Sequence, residues 1–219
     1  MDMVNQNHHD GRLGIGNAIE MVRVWGMSYL HEIKPEPIIH RDLEPSNVLR
    51  DDTGHLKVAD FGLSKILKAV KGVEGDRPVT PEDTSCRYMA PELFKNEEYD
   101  TKVDVFSFAL ILQEMIEGCP PFSKKTEVEV QSAYAAKKRP PFRAPGKLYA
   151  HGIKELIEEC WSDSASKRPT FREIIVRLDH IYDNIGRKKR WKVKPLKCFQ
   201  RSYSSIDGQS GSSHSTRSS

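Results

Sequence analysis

His40-Arg41-Asp42-Leu43-Glu44-Pro45-Ser46-Asn47, followed by Asp60-Phe61-Gly62, is the stretch on which the reading of this chain turns. An acid, an amide five positions on and a second acid stand in order, close enough for one hairpin to connect them. Val48-Leu49-Arg50 and His55-Leu56-Lys57-Val58 read as two short strands, and Asp52-Thr53-Gly54 between them supplies turn residues. Such a hairpin would deliver Asn47 and Asp60 to one face of a cleft. Ala90-Pro91-Glu92 closes the series farther along. Each carboxylate taken alone reads as a solvated or helix-capping acid. The ordered series has no comparable bland explanation.

In this order the motifs H-R-D-L-x-x-x-N, D-F-G and A-P-E resemble the signature set of the protein kinases. The resemblance runs from about Ala18 to about Ile185 and is to the C-terminal lobe of that fold. Lys57-Val58-Ala59-Asp60-Phe61-Gly62-Leu63-Ser64-Lys65, Arg87-Tyr88-Met89-Ala90-Pro91-Glu92 and Lys102-Val103-Asp104-Val105-Phe106-Ser107-Phe108-Ala109 look like the plant Raf-like and integrin-linked-kinase-like group. The resemblance implies an α+β fold, mostly α, of the large-lobe type. It also implies the chemistry: a serine/threonine protein kinase moving the γ-phosphoryl of ATP to protein hydroxyls with Mg2+. Asp42 would accept the substrate proton, Asn47 and Asp60 would hold the metal, and Asn47, Leu49 and Asp60 would form the ATP-binding floor. Asp104 would hold the catalytic-loop backbone, and Arg168 would pair with Glu92. Pro45 and Ser85 favour serine/threonine over tyrosine specificity, with the Ser85 hydroxyl expected beside Asp42.

Two features depart from the family pattern. Glu44 stands two residues after Asp42, where such kinases usually carry a lysine that meets the transferred phosphate. At about 4 Å and an effective dielectric near 20, one unit charge is worth about 4 kcal/mol, so a reversed sign there would slow or abolish transfer. Alternatively, Glu44 turns to solvent or pairs with an arginine. The second departure is in the segment before His40: its glycines, Gly11, Gly14 and Gly16, do not fit G-x-G-x-x-G, and its only lysine, Lys34, lies beside prolines. The small lobe is therefore expected to be missing, and a non-catalytic lobe acting as scaffold or regulator is the alternative function.

With 219 residues, 37% hydrophobic and 30% charged, the chain fits one soluble domain plus tails. The expected division is a leader at 1–16 unlike the family, a lobe at 17–185 and a tail at 186–219. The tail is basic at first: residues 187–201 hold eight Lys or Arg and no acid, which leaves the body near −5 although the whole chain is +3. Beyond Arg201 nine of eighteen residues are serine, a composition that favours disorder. The basic run is expected to be solvated, with contact to an acidic surface or nuclear import as the sharper readings. Nucleic-acid binding finds no support in an acidic body. Cys86, Cys119, Cys160 and Cys198 lack metal-ligand spacing and suit reduced thiols, so a cytoplasmic location is expected, the nucleus remaining open. No apolar run reaches membrane-spanning length, and Met1 to Gly16 lacks a signal-peptide core.

Helices are expected at Asn17 to His31, Thr101 to Glu117, Thr126 to Lys138, Tyr149 to Trp161 and Pro169 to Ile185. The second of these is apolar on nearly every side, as a buried central helix must be. Arg41 beside Asp42 suggests that a phosphorylated hydroxyl of the following segment, Thr80, Thr84 or Ser85, could dock on its guanidinium.

Overall fold

A helix that is apolar all round has to be covered all round, and Lys102–Glu117 is so covered. In the computed structural model, which describes residues 25–50, 52, 56–66, 85–95, 97–149 and 151–191, every residue from Val103 to Glu114 is buried. The elements in chain order are α1 (Trp25–Glu32), β1 (Ile38–Ile39), β2 (Val48–Arg50), β3 (Leu56–Val58), β4 (Lys65–Ile66), α2 (Pro91–Phe94), α3 (Lys102–Glu117), α4 (Glu127–Ala135), α5 (Ile153–Cys160) and α6 (Phe171–Trp191). Helix α5 lays Ile153, Leu156, Ile157 and Cys160 into the core, and α6 contributes Phe171, Ile174, Leu178 and Ile181. The Phe171 ring meets Phe108 of α3 edge-on, centroids 5.4 Å apart.

Local chemistry sets the helix ends. Gly118 stops α3 in the left-handed conformation (φ 72°), its N–H donating to the Glu114 carbonyl at 2.7 Å. Thr126 caps α4 rather than belonging to it: its hydroxyl accepts from the Glu129 N–H while the Glu129 carboxylate accepts from the Thr126 N–H. Thr170 and Glu173 repeat the device at the start of α6. Helix α5 begins four residues later than expected because His151 and Gly152 both take left-handed backbone (φ 66° and 92°). Helix α6 runs on to Trp191, past Ile185. Of the helix expected at Asn17 to His31, the described part runs from Trp25 to Glu32. Residues 17–24, the leader and the tail beyond Trp191 lie outside the described residues.

Sheet is confined, among the described residues, to two antiparallel pairs. The hairpin read from the sequence is one of them, with Val48 opposite Val58 and Arg50 opposite Leu56. The other, Ile38 opposite Ile66 and Ile39 opposite Lys65, joins the residues before His40 to those after Gly62. These two pairs hold the two ends of the motif stretch against each other.

The expected Glu92–Arg168 pair is formed and buried. Arg168 is 1% exposed and Glu92 9%. One guanidinium nitrogen donates to Glu92 Oε1, and the other reaches Oε2 at 3.2 Å. Arg168 also donates to the carbonyls of Lys102 (3.0 Å) and Ser162 (2.9 Å) and lies over the Phe106 ring. This fork ties α2 to α3 and to the turn before α6. Trp161 is buried core, as expected.

Candidate active site

Asp104, in the first turn of α3 and fully buried, organises the site from below. Its carboxylate accepts the backbone N–H of His40 (2.9 Å) and of Arg41 (2.9 Å), and His31 Nε2 lies at 2.7 Å. These bonds satisfy the donors of a loop that could not otherwise hold its shape, since Arg41 sits at φ 66°, strained for a side-chain-bearing residue. His40, also fully buried, donates from Nε2 to the Ala59 carbonyl at 3.1 Å and so joins the loop to the end of β3.

Asn47 lies at the end of a 3-10 turn opened by Pro45. Its amide nitrogen donates to the Asp42 carboxylate (2.9 Å) and to the Asp42 carbonyl (2.8 Å). The carboxylate is thereby aimed by a neutral donor, and the amide oxygen is turned away from it. The Asn47 carbonyl accepts the Ala59 N–H at 2.8 Å, which places Asp60 next to Asn47 across the hairpin. Asp60 is exposed and adopts φ 61°, and its Oδ1 accepts the Gly62 N–H at 3.1 Å. A Cβ on Gly62 would lie 3.1 Å from that same oxygen, so glycine keeps the carboxylate in place. The structure thus brings Asp42, Asn47 and Asp60 together. Leu49 is 53% exposed on β2, free to act as an apolar floor, and Phe61 (45%) is exposed too, its ring 5.1 Å from that of His40.

Asn47 and Asp60 offer a carboxylate and an amide, and among the described residues no group of three or more His, Cys, Asp or Glu could hold a metal alone. That donor set fits Mg2+, which keeps waters and takes phosphate oxygens rather than an all-protein cage.

Glu44 takes neither alternative position. It is half-buried, accepts the Ser46 hydroxyl, and among the described residues pairs with no arginine. Burial first, then the neighbouring Asp42, Glu127 and Asp60 carboxylates, push its carboxyl above the usual range, against the Ser46 bond. Ser85 turns its hydroxyl to Glu127 (3.3 Å), not to the position expected for it beside Asp42. Arg41 donates to the Leu63 carbonyl (2.6 Å) and the Tyr99 hydroxyl (3.1 Å); Thr80 and Thr84 lie outside the described residues.

Several contributors carried no local sequence signal. Arg87 clamps the loop before α4, donating to Glu127 and to the carbonyls of Pro121 (2.7 Å), Phe122 (2.9 Å) and Lys125 (2.9 Å). The Tyr88 hydroxyl donates to the buried Glu114 carboxylate of α3. Burial and that carboxylate push the phenol far up, and burial also raises Glu114. His31, Tyr99 and Glu127 belong to the same group of contacts across long sequence separations.

The family profile of the protein kinase domain matches residues 15–178. The chain belongs to the protein kinase family. The chain is 59% identical over 206 residues to serine/threonine-protein kinase 12 of Arabidopsis thaliana, covering 90% of this chain and 44% of that protein. It is 45% identical over 179 residues to integrin-linked protein kinase 1 of the same plant, covering 80% and 36%. With serine/threonine-protein kinase STY17, also of Arabidopsis, it shares 36% over 169 residues, covering 77% and 28%. The chain thus spans less than half the length of these curated relatives. Both groups named from the sequence, integrin-linked and Raf-like, are among them. No helix of its described residues is long and apolar enough to cross a membrane.

Proposed function

We propose that this chain carries the catalytic floor of a serine/threonine protein kinase that transfers the γ-phosphoryl of ATP to protein Ser or Thr hydroxyls. The observation that carries the reading is the Asn47 amide held on the Asp42 carboxylate at 2.9 Å, with Asp60 brought alongside by the hairpin. Asp42 takes the proton from the attacking hydroxyl, within a geometry that Asp104 fixes from below. Asn47 and Asp60 would hold Mg2+, which when bound would supply charge neutralisation for the phosphates. Leu49 underlies the adenine. The substrate in this reading is a protein chain; the net charge near −5 of the body gives nucleic-acid binding little support, and a place in the cytoplasm or nucleus is part of the same proposal.

The organisation that goes with it is a leader at 1–16, a large lobe at 17–185 and a tail at 186–219. This reading rests on the residues before His40, whose glycines do not fit the G-x-G-x-x-G of a phosphate-cradling loop and whose one lysine lies beside prolines. Residues 1–219 alone should then bind Mg-ATP weakly and show no turnover, because only the floor of an inter-lobe cleft is present. Joined to a kinase small lobe, the same residues should phosphorylate Ser/Thr peptides. Titration calorimetry with Mg-ATP and a peptide phosphorylation assay test both statements. Micromolar binding together with turnover by residues 1–219 alone would overturn the two-part reading. A scaffold or regulator is the second reading, favoured by Glu44 among the carboxylates. Silence of the joined domain despite normal Mg-ATP binding would select it.

A further inference from the structure

Beyond α3 the chain runs Gly118-Cys119-Pro120-Pro121-Phe122, and beyond α4 it reaches Pro140-Pro141. The four prolines and Phe122 line one half-open groove. Gln113 of α3, 2% exposed, lines it too and ties one wall down, its amide nitrogen donating to the Pro140 and Pro141 carbonyls at 3.2 Å each. Arg87 does the same for the other wall through the Pro121 and Phe122 carbonyls. Proline has no N–H to leave unpaired, and with these carbonyls taken the walls present ring surface rather than backbone polarity.

Lys124, Lys125 and Arg143 border the same groove, and all three are exposed. Among the described residues none of these side chains is held in an ion pair. Glu117 is the one carboxylate lining the groove among the described residues, and it is already engaged. It accepts the N–H of Arg143 (2.8 Å) and of Ala144 (3.0 Å) and the Tyr149 hydroxyl. Glu129, which Lys125 attracts, is turned into the Thr126 cap. Three uncompensated cations thus surround apolar walls, in a body whose net charge is near −5.

We propose that this groove binds an acidic peptide segment, with one apolar side chain between the proline walls and flanking carboxylates on Lys124, Lys125 and Arg143. Charge decides the occupant, since a basic segment would be repelled and a neutral one would leave the three cations unmatched. The Arg87 guanidinium that holds the first wall also holds Glu127, to which the Ser85 hydroxyl donates at 3.3 Å. The groove is therefore continuous with the stretch that runs into Ala90-Pro91-Glu92, and the acidic segment belongs to the protein whose hydroxyl is phosphorylated. That last step rests on the kinase reading. Binding in the groove does not, and the test reads binding alone.

The full chain is titrated against a fluorescein-labelled oligoglutamate peptide with one central phenylalanine, and binding is read by anisotropy. Saturable binding is expected, weaker at about 300 mM than at about 50 mM salt, as screening requires. Lys124→Glu and Arg143→Glu should each weaken it about 3- to 30-fold, an attraction of exposed-pair strength turned into repulsion. Lys167→Glu, at an exposed lysine outside the groove, should leave it within about twofold. A companion peptide with alanine for phenylalanine should bind about tenfold more weakly. The replaced side chains are exposed, and thermal melting checks that each variant is folded. Absence of saturable binding would overturn the proposal. So would binding that both groove variants leave unchanged, which would place the peptide on the basic run at 187–201. An equal loss in Lys167→Glu would reduce the effect to net charge, and equal affinity for the alanine peptide would leave the proline walls without a role; either result sinks the idea.

Discussion

Removing the Glu92 carboxylate tests how the lobe holds its shape. In Glu92→Ala the Arg168 guanidinium, 1% exposed, keeps two carbonyl acceptors and the Phe106 face but loses its counter-ion. Breaking a buried pair from one side costs about 3–5 kcal/mol. The surviving carbonyl bonds place this case near 3 kcal/mol, which for a chain of this size lowers Tm by roughly 6–12 °C. Replacing both partners, Glu92→Leu with Arg168→Met, should recover most of the loss, since the large cost lies in an unpaired buried charge and not in the absence of the pair. Urea and thermal unfolding of the parent, Glu92→Ala and the double variant give the answer directly. A Glu92→Ala protein within about 1 kcal/mol of the parent would refute the reasoning, as that is the range of an exposed pair. A double variant no more stable than Glu92→Ala would refute it equally.

Two further outcomes follow from the carboxylates around the site. Glu44→Lys, in a domain completed with a small lobe, should raise turnover or lower the KM for ATP, because it removes a charge held near Asp42 and Asp60; unchanged or poorer kinetics would mean that Glu44 is not a defect. Glu114 is raised by burial, so its contribution is fully present below the ordinary carboxylate range and is lost as pH rises from there toward its folded value. Its Oε2 takes the Tyr88 hydroxyl, with Arg87 and Glu44 as the facing charges. Glu114→Gln should flatten that decline in a pH series of urea midpoints, and a decline of the same size in the variant would assign it to another group.

What could be read from the sequence was what local pattern encodes. The motif spacing anticipated the β2–β3 hairpin, and the all-round apolar character of Lys102–Glu117 anticipated its burial. The roles of Asp104 and Arg168 came from the resemblance, and the bonds are made. Helix starts slipped where a threonine is a cap and not a helical residue, or where left-handed backbone at His151 intervenes. The β1–β4 pair escaped notice because two-residue strands have no period to detect. Contacts such as His31 with Asp104, 73 positions apart, and Arg87 with Glu127, 40 apart, depend on packing that no local pattern records. Ser85 illustrates the limit: its place in the motif suggested Asp42, while the clamp between Arg87 and Glu127 takes its hydroxyl instead.

The role of Asp42 is tested most directly by measuring turnover and Mg-ATP affinity together for Asp42→Asn in the domain completed with a small lobe. On the proposed roles Asn47 and Asp60 would still hold the metal, so nucleotide affinity should stay close to that of the parent. The transfer rate should fall by about 10²–10⁴-fold, the usual contribution of a positioned base. Equal turnover in the two proteins would contradict the assignment of Asp42 as the proton acceptor.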